Sequence, residues 1–177
     1  MEQFDVTKEM LEGARDYVPL AEKRTFCREA AKLCLERLEL ETADGEAVPP
    51  VFRVNPWRRT RCLATALCGL YLRQELEVSV DEDGVGWMVS EEEMDRVGGS
   101  HVMGQIQRFK SDAALRDKCF ALLEDYRALE SGLDAELDAL VMAQNDGVAR
   151  NAMATRAAMA ELPAVLEALK ELQGGNS

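Results

Sequence analysis

Apolar residues recur at three- and four-residue spacing along most of this chain, which predicts helix wherever the rhythm holds. Thr7 suits an N-cap, with Val6 and Leu11 placed as a hydrophobic staple, so a first helix is expected to run to about Tyr17. Pro19 opens a second, whose inner face collects Phe26, Cys27, Ala30, Ala31, Cys34 and Leu38. Asp44-Gly45, Pro49-Pro50 and Pro56 mark residues 41–56 as a loop, in part extended. A third helix is predicted from near Trp57 to about Glu75, carrying Leu63, Ala66, Leu67, Leu70 and Tyr71 inward.

The rhythm then changes to alternation. Leu76, Val78 and Val80, followed by Val85, Trp87 and Val89, flank Asp81-Glu82-Asp83-Gly84 and read as a β-hairpin over about 76–89, the one clear strand signal. Ser90 with Glu93 forms a capping-box pattern for a short helix that Gly98-Gly99 should end. Another short helix is expected after Ser100, with Val102, Met103, Ile106 and Phe109 inward, and Ser111 is placed to cap the next.

From Leu115 the spacing becomes heptad-like through Cys119, Leu122, Tyr126, Leu129 and Leu133, and Leu137, Leu140 and Val141 continue it after a slip. A second run comprises Val148, Ala152, Thr155, Met159, Leu162, Leu166 and Leu169, interrupted at Pro163. Asn145-Asp146-Gly147 between them reads as a turn, so the expected fold is mainly α. A helical N-terminal region with one β-hairpin (1–110) would be followed by a C-terminal antiparallel, coiled-coil-like helical hairpin (111–173) and a frayed tail (174–177). The two seams can bury against each other or against a second copy, and the spacing alone is compatible with both.

Charge narrows the function. The formal net charge of −12 disfavours nucleic-acid binding, which needs cations to neutralise phosphates. No apolar run is long enough to cross a bilayer, and Met1-Glu2-Gln3-Phe4-Asp5 lacks the pattern of a secretory signal, so a cytoplasmic location is expected. The five cysteines, Cys27, Cys34, Cys62, Cys68 and Cys119, sit in helical segments without C-x-x-C spacing, which makes them core residues by expectation. His101 is the sole histidine, Asp81-Glu82-Asp83 lacks the alternating ligands of a calcium loop, and the glycines form no phosphate-binding fingerprint. Neither an enzyme nor a cofactor is expected.

Binding has two candidate surfaces of opposite sign. Arg53, Trp57, Arg58, Arg59 and Arg61 gather four guanidiniums and an indole, suited to phosphates, carboxylates or a protein interface unless the protein's own acids engage them. Asp81, Glu82, Asp83, Glu91, Glu92 and Glu93 form the acidic counterpart, extended by Glu124, Asp125, Glu130, Asp134, Glu136 and Asp138.

Several stretches resemble small proteins encoded by phages and mobile elements of gut bacteria. They are Val6-Thr7-Lys8-Glu9-Met10, Tyr17-Val18-Pro19-Leu20-Ala21-Glu22-Lys23, Gly99-Ser100-His101-Val102 with Gln105-Ile106, Lys110-Ser111-Asp112-Ala113 and Arg116-Asp117-Lys118-Cys119-Phe120. The resemblance extends to anti-CRISPR proteins, small and often acidic inhibitors that bind Cas9 directly. It implies a non-enzymatic phage protein whose partner is guide-loaded Cas9, and it assigns no role to any residue. The alternatives are an oligomerising phage assembly or adaptor protein, and a nucleic-acid-binding accessory protein using Trp57, Arg58, Arg59 and Arg61.

Overall fold

In a computed structural model, which describes residues 3–41, 47–76, 78–79 and 88–174, the chain is mainly helical. The helices are α1 (Lys8–Gly13), α2 (Leu20–Cys34), α3 (Pro56–Ala66), α4 (Glu91–Gly98), α5 (Val102–Arg108) and α6 (Arg116–Gly174). The strands are β1 (Leu35–Glu41), β2 (Ala47–Val54), β3 (Val78–Ser79) and β4 (Met88–Val89). They form two two-stranded sheets, β1 with β2 and β3 with β4. No helix among the described residues is long and apolar enough to cross a membrane.

The chain divides into two compact units. The first contains residues 1–35 and 54–139, the second residues 36–53 and 140–177. This division differs from the boundary expected near residue 110, because the start of α6 belongs with the N-terminal helices.

The first unit is built around the α6 seam. Leu115, Cys119, Leu122, Tyr126, Leu129, Leu133 and Leu137 are all buried, as their heptad spacing predicts. Phe26, Cys27, Ala30, Ala31 and Cys34 of α2 join them, with Leu63 and Ala66 of α3. All five cysteines are buried free thiols. A Cβ at Gly132 would stand 3.4 Å from the Cys27 sulfur, a van der Waals distance, so α2 and α6 are in contact there. α3 ends in a π-helical turn, Leu67–Tyr71, which places Tyr71 in the core.

Local capping works largely as the residues suggest. The Thr7 hydroxyl accepts from the Met10 amide, and Ser90 accepts from the Glu93 amide. α1 nevertheless stops at Gly13 rather than near Tyr17. Leu38 lies on β1, outside α2, and the stretch 41–56, expected as a partly extended loop, contains β2. Helix α6 is preceded by Asp112, which accepts from the Ala114 amide, whereas Ser111 donates back to the Arg108 carbonyl. The β3–β4 pair is antiparallel with Val78 opposite Val89 and Ser79 opposite Met88, in agreement with the predicted hairpin. Its acidic segment, with Asp81, Glu82 and Asp83, lies outside the described residues, as do residues 175–177 of the expected tail.

The C-terminal helical hairpin is corrected. Asn145, Asp146 and Gly147 sit inside α6, which also runs through Pro163, so no turn divides two helices there. Asn145 has tertiary work instead. Its side-chain oxygen accepts from the Phe52 amide at 2.8 Å and its side-chain nitrogen donates to the Phe52 carbonyl at 3.0 Å. The amide thus stands in for a neighbouring strand along β2, and both groups belong to the second unit. Asn145→Leu is expected to destabilise that unit by about 1–3 kcal/mol, since two part-buried backbone groups lose their partner. Faster hydrogen exchange at the Phe52 amide would register it; unchanged exchange would show the contact to be dispensable.

Candidate interaction surface

The basic cluster begins with a helix start whose sequence signal is Asn-Pro. Asn55 caps α3 by accepting from the Trp57 and Arg58 amides at 3.1 and 3.0 Å, and Pro56 takes the first helical position, where its missing N–H costs nothing. Trp57, Arg58, Arg59 and Arg61 therefore all belong to the first two turns of α3. Arg53 belongs to β2 and the second unit, where it pairs with Glu36 at 3.1 Å.

Each arginine of α3 is engaged by groups of its own unit. Arg59 grips Asp134 with two parallel hydrogen bonds, Nε to Oδ1 at 2.7 Å and Nη2 to Oδ2 at 2.8 Å, and Nη2 also reaches Glu130 at 3.1 Å. The hydrogen bonds that Arg59 donates to Asp134, ahead of the one to Glu130, hold the guanidinium pKa above its ordinary value despite partial burial. Arg61 donates to Asp95 of α4 at 2.5 Å and lies over the Trp57 ring, a cation–π contact across one helical turn. Arg58 donates to the Leu33 carbonyl at 3.3 Å and stands 4.0 Å from Glu91.

The acids divide in the same way. Glu93 is buried and chelates Arg96 through contacts of 2.7 and 2.5 Å, so it belongs to the framework. Glu130 and Asp134 serve Arg59, and Asp125 lies inside the unit. These three are removed from the acidic face that the sequence suggested. Glu91 and Glu92 remain outward, Glu91 with a side chain 82% exposed, and Trp57 is 53% exposed on α3, which packs on α4. The result is a half-exposed indole on α3 and two exposed acids at the start of α4, with Arg59 and Arg61 held by the protein's own carboxylates.

Asp125 is the feature that local sequence did not mark. It accepts from the Val18 amide and the Tyr71 hydroxyl, each at 3.0 Å, and from the Lys23 ammonium. Burial, the largest single influence, works to raise its pKa. Hydrogen bonds from Lys23, the Val18 amide and Tyr71 outweigh it, leaving the carboxyl below its usual range. The partners lie 54 to 107 residues away, beyond the reach of any spacing rule. Its contacts are structural, joining α2, α6 and the π-helical turn.

His101 occupies a left-handed backbone position before α5, with φ of 49°. No group of three or more histidine, cysteine, aspartate or glutamate side chains suited to a metal occurs among the described residues. No protein-family model, curated protein or solved structure matches this chain.

Proposed function

We propose that the chain is a non-enzymatic inhibitor that binds a guide-loaded host defence nuclease of the Cas9 type, docking the Trp57–Glu91–Glu92 surface on a basic part of the enzyme. The observation that carries this reading is the fate of the arginines. Arg59 and Arg61 are held by the protein's own carboxylates, while Glu92 is exposed and Glu91, 82% exposed, keeps only a 4.0 Å contact to Arg58. An anion-binding site would present the opposite arrangement. A half-exposed tryptophan is a residue type of protein-binding hot spots, and exposed acids on the helix packed against its own would accelerate association with a basic partner. The choice of nuclease rests on the sequence resemblance.

The test is target-DNA cleavage by a panel of guide-loaded Cas9 proteins with and without excess purified chain. Loss of cleavage in at least one member is expected, and full cleavage throughout would remove the Cas9 reading. Trp57→Ala should weaken inhibition by about 2 kcal/mol, near thirtyfold. The double replacement Glu91→Gln with Glu92→Gln should mainly slow association and flatten its salt dependence. Unaltered inhibition by both variants would move the contact surface elsewhere.

A further inference from the structure

Two buried thiols of the first unit meet sulfur to sulfur. Cys34 is the last residue of α2, and Cys62 lies in the second turn of α3. Their Sγ atoms are 3.7 Å apart, the Cys34 thiol donating to the Cys62 sulfur. Other groups already clamp this junction. The Asn55 amide donates to the Cys34 carbonyl at 2.7 Å, and the Arg58 guanidinium donates to the Leu33 carbonyl at 3.3 Å. A disulfide needs its sulfurs at about 2.05 Å. The remaining approach of about 1.7 Å is shared between two side chains, within reach of modest rotations about their Cα–Cβ bonds.

The two thiols are chemically unequal. The hydrogen bond received from Cys34, the largest influence, lowers the Cys62 pKa, and the Arg58 charge adds to it against the opposing effect of burial. Arg58 stands one turn away on the same helix with its side chain 45% exposed, so the pair lies close to a solvated group. Donating that hydrogen bond, together with burial, pushes the Cys34 thiol up, and its place at the carbonyl end of α2 also disfavours a thiolate. The other thiols are inert by comparison. Cys27 donates to the Leu129 carbonyl at 3.5 Å, and burial pushes it up to about 11 and Cys68 up to about 12.

We propose that Cys34 and Cys62 form a redox modification site, which a hydroperoxide converts to an intrachain disulfide, Cys62 reacting first and Cys34 resolving the product. The Cys62 thiolate attacks the terminal oxygen of the hydroperoxide and the O–O bond breaks. A Cys62 sulfenic acid forms, and the departing alkoxide, or hydroxide from hydrogen peroxide, takes the Cys34 proton. The Cys34 thiolate then attacks the sulfenic sulfur. The S–S bond forms, the S–O bond breaks, and the leaving hydroxide becomes water with the proton that Cys62 gave up on ionising. Two electrons have passed from the sulfurs to the peroxide oxygens. The new bond joins residues 28 apart and closes a loop that includes β1 and β2, so the oxidised chain is the more stable form. This chemistry requires no nuclease and stands independently of the inhibitor reading.

The folded full-length chain, treated with a small molar excess of hydrogen peroxide, alkylated in denaturant and mapped by tandem mass spectrometry, tests it without any substitution. One cross-link is expected, Cys34 to Cys62, with Cys27, Cys68 and Cys119 alkylated, and dithiothreitol should remove it. Oxidation should raise the thermal midpoint by about 5–10 °C, reversibly. The order of reaction is read from two variants. Cys34→Ser keeps a hydroxyl that can donate to the Cys62 sulfur, and its oxidation should stop with oxygen added at Cys62. Cys62→Ser should leave Cys34 unoxidised under the same exposure. No link in the folded chain, a link through another cysteine, a midpoint that fails to rise, or oxygen added first at Cys34 would each overturn the proposal.

Discussion

Asp125→Ala is expected to be the most destabilising single replacement in the first unit, at about 3–5 kcal/mol. The aspartate side chain is 13% exposed and that of its partner Lys23 is 10% exposed, so solvent cannot easily replace either charge. Truncation leaves the Lys23 ammonium without its carboxylate and removes the acceptor of the Tyr71 hydroxyl and the Val18 amide. Asp125→Asn keeps an acceptor of similar shape and should lose less. The sign of the pH dependence follows from the depressed carboxyl pKa in the folded protein. Its contribution is complete above the unfolded value of about 4 and disappears as pH falls through the folded value. Urea titrations between neutral and acid pH would measure it. Wild type should lose its advantage over Asp125→Asn as the solution is acidified, and a pH-independent difference would show that packing, not charge, is what the site supplies.

Two helical glycines should respond to the same substitution with opposite signs. A Cβ at Gly98 would fall 2.6 Å from the Arg61 Cγ and 3.5 Å from its Cα. The side chain cannot simply swing away, because its guanidinium is held by Asp95 and lies over Trp57. Gly98→Ala should therefore cost about 1–3 kcal/mol through overpacking between α3 and α4. Gly104 in α5 has nothing within 4 Å of the same position. Gly104→Ala should stabilise by about 0.5–1 kcal/mol, because alanine loses less backbone entropy in a helix. Thermal melts of the two variants would decide it. If Gly98→Ala were neutral, the close approach of α4 to Arg61 would not be required by the fold. On the inhibitor reading proposed above, the replacement should also disturb the Trp57 surface and weaken inhibition.

Both expectations concern contacts between distant parts of the chain, and this is where sequence reading and structure part company. Spacing rules identified the seam from Leu115 to Leu137, the caps at Thr7 and Ser90, and the β3–β4 pairing, because each depends on residues a few positions apart. The Asn55 cap was equally local: its Asn-Pro signal was present but was read as part of a loop. Asn145-Asp146-Gly147 misled for a different reason. Turn preference there amounts to about 1 kcal/mol for the glycine, while the continuing helix and the Asn145 contact to Phe52 act in the opposite direction.

The candidate surface shows the same division. Sequence alone determined that arginines and an indole would share one short segment, that the chain would be strongly acidic, and that heptad-like spacing would recur from Val148 to Leu169. Only the tertiary structure decided that Arg59 would meet Glu130 and Asp134, 71 and 75 residues away, and that Glu93 would turn inward while Glu91 stayed out. The physical reason is the range of the interactions. Periodicity and capping are written in neighbouring residues, whereas an ion pair is chosen by whichever opposite charge the packing of the helices brings within reach.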